Sequence, residues 1–183
     1  DKYCGDACCT PALAIMEEMG VLRELIGHNE AHFADSGGFV SPKGISYIGA
    51  SKEKIGQAAC AAVKRIHLDA RMVAAAKGAG AELKEDFEVV DATFDPEQGL
   101  WTVVSAGGAS VKGRQLVIAD GATSKLATKL GYCTEPPRGV CTRAFVEGST
   151  HNTNFDGVCF YPKWSLPGYA GELSFSFFCG VGS

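Results

Sequence analysis

Four groups of residues in this sequence have types and spacings that could do chemistry. His28 and His32 are four apart with Glu30 between them, but a zinc peptidase needs its Glu directly after the first His, facing the metal-bound water. HNEAH therefore reads as solvated loop histidines. His67 stands beside Arg65 and Asp69 with no Ser or Cys nucleophile on an elbow motif, so a catalytic triad is not expected. Gly107 and Gly108 lack GxGxxG spacing, and Gly121 to Lys125 has no upstream P-loop glycine, which argues against ATP hydrolysis. The informative pair is Asp120 and Gly121, following the apolar run Leu116 to Ala119. A carboxylate there can accept from ribose or ribityl hydroxyls or hold a phosphate-bound water, while Gly lets a ligand approach the backbone closely. A helix cap explains Asp120 equally well.

The elements that must position these residues follow from periodicity and turn chemistry. From Thr10 to Ile26 apolar residues recur at helical spacing behind a Thr cap and Pro11, which predicts one helix. Gly38 to Tyr47 reads as two short strands around Ser41, Pro42, Lys43 and Gly44. The Ala-rich stretch Cys60 to Leu83 predicts a second helix, with Val63, Ile66, Val73 and Ala76 inward. Glu88 to Thr93, Leu100 to Ser105 and Ser110 to Ala119 predict three strands, the last ending in a buried segment, Gln115 to Ile118, followed by a helix over Ser124 to Leu130. Beyond Pro136 and Pro137, strands are predicted at Val140 to Glu147, Gly157 to Tyr161 and Glu172 to Cys179, as neighbours in one antiparallel sheet. Its aromatic face, Phe145, Tyr161, Phe175 and Phe177, would be either ordinary core or the lining of an apolar cleft.

Composition bounds the function classes. The 183 residues include 46% apolar and 21% charged types, enough for a buried core and unlike a disordered segment. With 17 Lys plus Arg against 21 Asp plus Glu, and no basic stripe, phosphate-driven nucleic-acid binding is not expected. No apolar run approaches the length of a membrane span, and no export signal is visible. The eight cysteines form no CxxC pair and no NxS or NxT acceptor is present, so reduced, mostly buried thiols in a reducing intracellular compartment are expected. Organellar and membrane-peripheral placements are both compatible with this. An opening on Asp1 and an end just after the last strand are what a fragment would show.

Three segments together resemble a family. LVIADGATSKLATKLG, residues 116 to 131, resembles the stretch around ADGxxS in flavoproteins of the p-hydroxybenzoate hydroxylase superfamily. KRIHLDARMVAAAKGAGAEL, residues 64 to 83, resembles the RxxLDxxLxxxAxxxGA helix that lies earlier in those proteins. KYCGDACCTPALAIMEEMGV, residues 2 to 21, resembles the KxCGDGLTP segment of the geranylgeranyl reductase branch. Departures are equally definite. The GxGxxG unit and the later GDAA-type motif are absent, Lys125 and Thr128 stand where Arg is common, and the YxWxFP signature maps only onto Gly157, Cys159, Tyr161 and Pro162.

The resemblance implies an α/β (mixed α+β) chain in which a partial Rossmann-like FAD-binding layer, residues 1–32 and 60–132, adjoins an incomplete antiparallel substrate-domain sheet, residues 33–59 and 133–183. It implies FAD, with Asp120 and Gly121 near the ribityl or pyrophosphate, Arg65 near the cofactor, and Cys4, Gly5 and Asp6 in the loop beside the isoalloxazine ring. Tyr161 and Pro162 would contact substrate; no catalytic or metal-ligating residue is assigned. Arg65 could instead form a surface pair with Asp69. The implied function is a flavin-dependent reduction of isoprenoid, geranylgeranyl-type double bonds. The alternative is a non-catalytic flavoprotein-fold subunit with an assembly or structural role. FAD is not expected to be held by these residues alone, so the implied partners are a larger complex or further segments of the same chain, with peripheral membrane contact compatible and nucleic acid excluded.

Overall fold

A computed structural model describes residues 4, 6–34, 36–50, 60–135, 139–145, 157–163, 168–173 and 176–182. Two compact units emerge: residues 1–81 with 139–183, and residues 82–138. Each is a mixture of helices and mostly antiparallel sheet.

In the first unit, β1 (Ala7–Cys9) leads directly into α1 (Thr10–Glu18), with Pro11 in the first helical turn. Proline fits there because its missing N–H would have no intrahelical partner. The cap position falls on Cys9, one residue before the predicted Thr10. The single helix expected over 10–26 is two helices, because Gly20 adopts a left-handed φ of 73° and the chain restarts as α2 (Val21–Gly27). The apolar periodicity survives the break: Leu13, Met16, Val21 and Leu25 all enter one core.

After β2 (Ala31–Ala34), the hairpin predicted around Ser41 to Gly44 is present as β3 (Ser36–Val40) and β4 (Ser46–Ala50). Ser41 Oγ accepts the Ile45 N–H at 3.0 Å, and Gly44 supplies the positive φ of 78°. The Ala-rich stretch departs from expectation. Its first part is a strand, β5 (Cys60–Val63), central in a sheet of order β1-β5-β2, and only then does α3 (Arg65–Gly78) begin. Alanine is the best helix former, but a central strand covered on its faces also selects for small side chains, and tertiary burial overrides propensity here. Ala61, Ala62 and Val63 are buried.

The helix face is also out of phase with the prediction. Leu68, Met72 and Ala75 pack on the core of Cys8, Leu13, Met16, Val21, Leu25, Ala61 and Val63, while Ile66 and Val73 are exposed.

The second unit is a three-stranded meander, β6 (Val89–Asp95), β7 (Leu100–Ser105) and β8 (Ser110–Gly113), with turns in the two gaps between the predicted strands. Asp95 accepts from the Glu97 and Gln98 N–H groups, and Ser105 from Ala109. The predicted buried strand at Gln115 to Ile118 is not a strand. Those residues pair with no neighbour among the described residues, and Val117 is 85% exposed. Apolar composition alone does not make a strand when no adjacent backbone takes up its N–H and C=O groups. The following helix is short, α4 (Lys125–Lys129), capped by Ser124 Oγ accepting from Ala127 N–H at 2.9 Å.

The first unit is completed by β9 (Gly139–Ala144), β10 (Gly157–Phe160), β11 (Tyr169–Leu173) and β12 (Ser176–Gly182) in a six-stranded sheet of order β4-β3-β10-β11-β12-β9. The neighbouring antiparallel pairs among β9 to β12 agree with the prediction, whereas the predicted strand Glu172 to Cys179 is two strands, with Leu173 opposite Ser176. The alternation of residue types across Glu172 to Phe177 gives no sign of where one strand ends and the next begins. Phe175 lies outside the described residues.

Leu25 is fully buried at the junction of α2 with the core. Leu25→Ala is expected to lower stability by about 2–5 kcal/mol through lost transfer energy and a residual cavity, read as a drop in the urea midpoint at unchanged m-value. An unchanged midpoint would contradict this packing.

Candidate functional site

The residues that begin the site are those leading into β1. Asp6 adopts a left-handed φ of 60°, which Asp tolerates better than most residues. That turn sends its side chain into the protein. Asp6 is 1% exposed and its carboxylate meets Arg143 Nη1 of β9 at 3.0 and 3.3 Å. It also accepts the backbone N–H of Arg65, the first residue of α3. That helix has no side-chain cap of its own, since Lys64 occupies the cap position. Asp6 therefore caps α3 from another element, where a negative charge also complements the positive helix end. Burial pushes its carboxyl above the usual range, while Arg143 and the Arg65 N–H pull the other way.

Arg143 in turn lies over the Phe145 ring, 4.5 Å from its centroid, and Lys64 approaches the same ring at 5.1 Å. Cation–π attraction holds both charged groups near an aromatic surface at this end of the sheet.

Beside this pair lies a cleft of about 390 Å³, within the usual size of small-molecule pockets. Its wall is mostly apolar, from Ala7 and Cys8 of β1, Ala12, Ile15 and Met16 of α1, Val63 of β5, and Leu68 and Met72 of α3. Its polar groups are few: Cys4, Asp6, Arg65 and Asp69. Arg65 forms a two-pronged pair with Asp69 at 2.8 and 2.9 Å and also hydrogen-bonds to Cys4, and these contacts raise its pKa. Arg65 does pair with Asp69 as the alternative reading has it, but its side chain is only 22% exposed and both residues line the cleft, so the pair is not a surface one. Burial raises the Cys8 thiol, so it stays protonated and serves as apolar wall.

Cys4, Asp6 and Arg65 are therefore brought together. Gly5 lies outside the described residues. Asp120 and Gly121 belong to the second unit, where Asp120 is exposed in a bend and Gly121 has a φ of 93°. The reading of Asp120 as the end of a buried strand is corrected accordingly. Tyr161 and Pro162 follow β10 and do not line the cleft; the Tyr161 N–H donates to Val40 C=O at 2.9 Å, and its ring lies between Phe39 and Tyr169 at 6.3 and 6.0 Å.

Sequence reasoning missed Arg143. Its only signal is a lone cation in the predicted strand Val140 to Glu147, whose partner lies 137 positions away. It also missed Glu30, which sits within HNEAH but faces α3: Arg71 donates to it at 3.0 and 3.1 Å and His67 Nδ1 lies 3.2 Å away. His67 thus has a carboxylate partner, though no nucleophile, and His32 lies on β2 rather than in a loop. Among the described residues no group of His, Cys, Asp or Glu could hold a metal ion, and no helix is long and apolar enough to cross a membrane. The thiols are less buried than expected: Cys8 is buried, but Cys9 and Cys141 are exposed and Cys4, Cys60, Cys133 and Cys159 are half-buried.

No protein-family model matches this chain. It is 46% identical over 181 residues to Conditioned medium factor receptor 1 of Dictyostelium discoideum, covering 92% of this chain and 35% of that protein. It is 30% identical over 148 residues to Menaquinone reductase of Mycobacterium tuberculosis, covering 80% of this chain and 35% of that protein. The chain spans about a third of the length of these curated relatives. Among solved structures, p-nitrophenol 4-monooxygenase from Pseudomonas putida superposes with a TM-score of 0.70 at 15% identity over 97% of this chain and 47% of that one. The FAD-dependent halogenase CndH gives 0.70 at 13% over 98% and 44%, and a geranylgeranyl bacteriochlorophyll reductase-like protein from Thermoplasma acidophilum gives 0.69 at 15% over 98% and 46%. The fold is one that oxidoreductases carry, and the sequence is similar to that of a reductase.

Two outcomes test the site's electrostatics. Arg143→Met strands the Asp6 carboxylate and is expected to cost about 3–5 kcal/mol, with Asp6→Asn in the same chain recovering part of the urea midpoint; equal midpoints in wild type and Arg143→Met would refute the pairing. Glu30 is held below the ordinary carboxylate value, first by its hydrogen bond from Arg71. Its contribution is therefore present above an unfolded pKa of about 4.3 and lost as pH falls through the folded value. The stability gap between wild type and Glu30→Gln should narrow from pH ~6 to pH ~3; a gap independent of pH would show that the carboxylate charge is irrelevant.

Proposed function

We propose that this chain forms part of a flavin-dependent reductase acting on isoprenoid double bonds, of the geranylgeranyl or menaquinone-tail kind. The observation that carries this reading is convergence. Two segments distant in sequence, around Cys4 and around Arg65, meet in one apolar cleft with a guanidinium at its rim. The 30% identity to a menaquinone reductase supports the reaction class, and menaquinone itself carries an isoprenoid tail.

The residues present fit the parts of a flavin they would meet. An apolar bed of this volume suits a planar ring, and Cys4 and Arg65 offer the few directed polar contacts such pockets use. Asp6 would act by position: its carboxylate is committed to Arg143 and to the α3 terminus, so it sets where Arg65 stands. Asp120 is exposed and able to accept from ribityl hydroxyls, and Gly121 has open space where a Cβ would be. Tyr161 and Pro162, beside the Phe39 and Tyr169 rings, would meet an apolar substrate. Bound reduced flavin would supply hydride; the chain's part is to orient and to exclude water. On this reading, residues 1–32 with 60–132 carry the cofactor and residues 33–59 with 133–183 the substrate. Further protein segments complete the enzyme in a reducing compartment, with contact to a membrane surface where an isoprenoid resides.

A second reading is favoured by the 46% identity to a protein named as a receptor: the same fold retained for binding or assembly, without turnover. Flavin content and turnover separate the two. The full-length protein is expected to purify with FAD and, when reduced, to add two hydrogens to the isoprenoid tail of menaquinone, seen by mass spectrometry. Arg65→Ala, removing hydrogen bonds from a charged donor at roughly 1.5–3 kcal/mol, is expected to weaken FAD binding about 10- to 100-fold. Asp120→Ala should also reduce flavin content, and His28→Ala should not. Flavin-free protein would overturn the reductase reading, and flavin without turnover would favour the second.

A further inference from the structure

We propose that Cys9 and Cys60 form a reversible cross-strand disulfide between β1 and β5, a redox site separate from the flavin chemistry. The two residues are directly opposite in the antiparallel pair, in the register Ala7 to Ala62, Cys8 to Ala61 and Cys9 to Cys60. The phase of the ladder follows from one bond beyond the strand end: Val63 N–H donates to Asp6 C=O at 2.8 Å. That makes Asp6 and Val63 a hydrogen-bonded pair. Hydrogen-bonded and non-hydrogen-bonded pairs alternate, so Cys8 with Ala61 is hydrogen-bonded and Cys9 with Cys60 is not.

Non-hydrogen-bonded partners stand about 4.5 Å apart at Cα with their side chains on the same face and closest together. Disulfides span Cα separations of about 4.4–6.8 Å, so this pair can be bridged with little backbone movement. Neighbouring thiols compete poorly. Cys8 projects to the opposite face from Cys9 and is buried, and burial raises its pKa. Cys4 is hydrogen-bonded to Arg65 and lines the cleft together with Cys8, whereas Cys9 does not. Cys9 is exposed and can meet an oxidant, while Cys60 is half-buried and suited to resolve.

The reaction balances with a peroxide as the oxidant. The Cys9 thiolate attacks one peroxide oxygen, the O–O bond breaks, and a sulfenic acid forms with release of one water after proton uptake. Cys60 sulfur then attacks the Cys9 sulfur, the S–O bond breaks, and the second water leaves with the thiol proton. Two S–H bonds are exchanged for one S–S bond, and two electrons pass to the peroxide. A dithiol reverses the change by exchange. Exposed disulfides are the more readily reduced ones, as a switch requires. The bridge ties β1 to β5, the strands that contribute Cys8 and Val63 to the cleft wall.

Trypsin separates the partners: residues 3–23 contain Cys4, Cys8 and Cys9, and residues 55–64 contain only Cys60. The full-length protein would be treated with hydrogen peroxide, alkylated, digested without reductant and examined by mass spectrometry. The expected product is the two peptides joined, two hydrogens lighter than their sum, and lost on treatment with dithiothreitol. It should persist in Cys4→Ser and Cys8→Ser and vanish in Cys9→Ser and Cys60→Ser. Recovery of the Cys60 peptide alkylated after peroxide, or a crosslink that survives Cys9→Ser, would overturn the proposal.

Discussion

The contact on which the first unit turns is the buried ion pair between Asp6 and Arg143. Removing two charges from water is costly, and the attraction between them repays the cost only when further hydrogen bonds satisfy the remaining lone pairs. Asp6 meets that condition by also receiving the first N–H of α3. One carboxylate thus joins the strand that opens the unit, the helix that carries Arg65, and the strand β9. Arg65 keeps its place beside the cleft because α3 begins where Asp6 caps it.

The Glu30 contacts serve the same helix further along. Arg71 and His67 project from α3 toward the residue just before β2, so the helix is fixed at its start by Asp6 and near its middle by Glu30. Its apolar face, Leu68, Met72 and Ala75, then presses on the core over β5. Polar contacts determine where along its axis the helix sits, and apolar packing determines which face turns inward. The cleft occupies the margin where that packing stops short of α1, which leaves Ile15 57% exposed.

Much of this arrangement was legible in the sequence, because much of it is local. The Ser41 to Gly44 hairpin and the meander with its Asp95 and Ser105 turns each rest on short-range chemistry, whereas the cap of α4 falls on Ser124, which the periodicity places inside the helix. Of the readings that missed, the helix break is local, set by the left-handed Gly20, and others were decided by long-range partners. Cys60 to Val63 is a strand because β1 and β2 flank it, and the run Leu116 to Ala119 is not a strand because no described strand does. At the site, Cys4, Asp6 and Arg65 were visible through resemblance, but Arg143 was not, since nothing within its own segment signals a carboxylate 137 positions earlier.

That separation has a consequence for how the cleft comes into being. Its lining comes entirely from the first 72 residues, yet the charge that neutralises Asp6 arrives with β9, after the whole second unit has been traversed. Before β9 docks, Asp6 is either an uncompensated carboxylate or a protonated one, and a neutral acid is a weaker partner for the positive end of α3. The apolar core of this layer is complete within residues 8–75, while the polar rim of the cleft depends on Arg143, which only β9 supplies. The charge balance of the cleft and the attachment of β9 thus rest on the same contact, with Arg143 as the group that couples them.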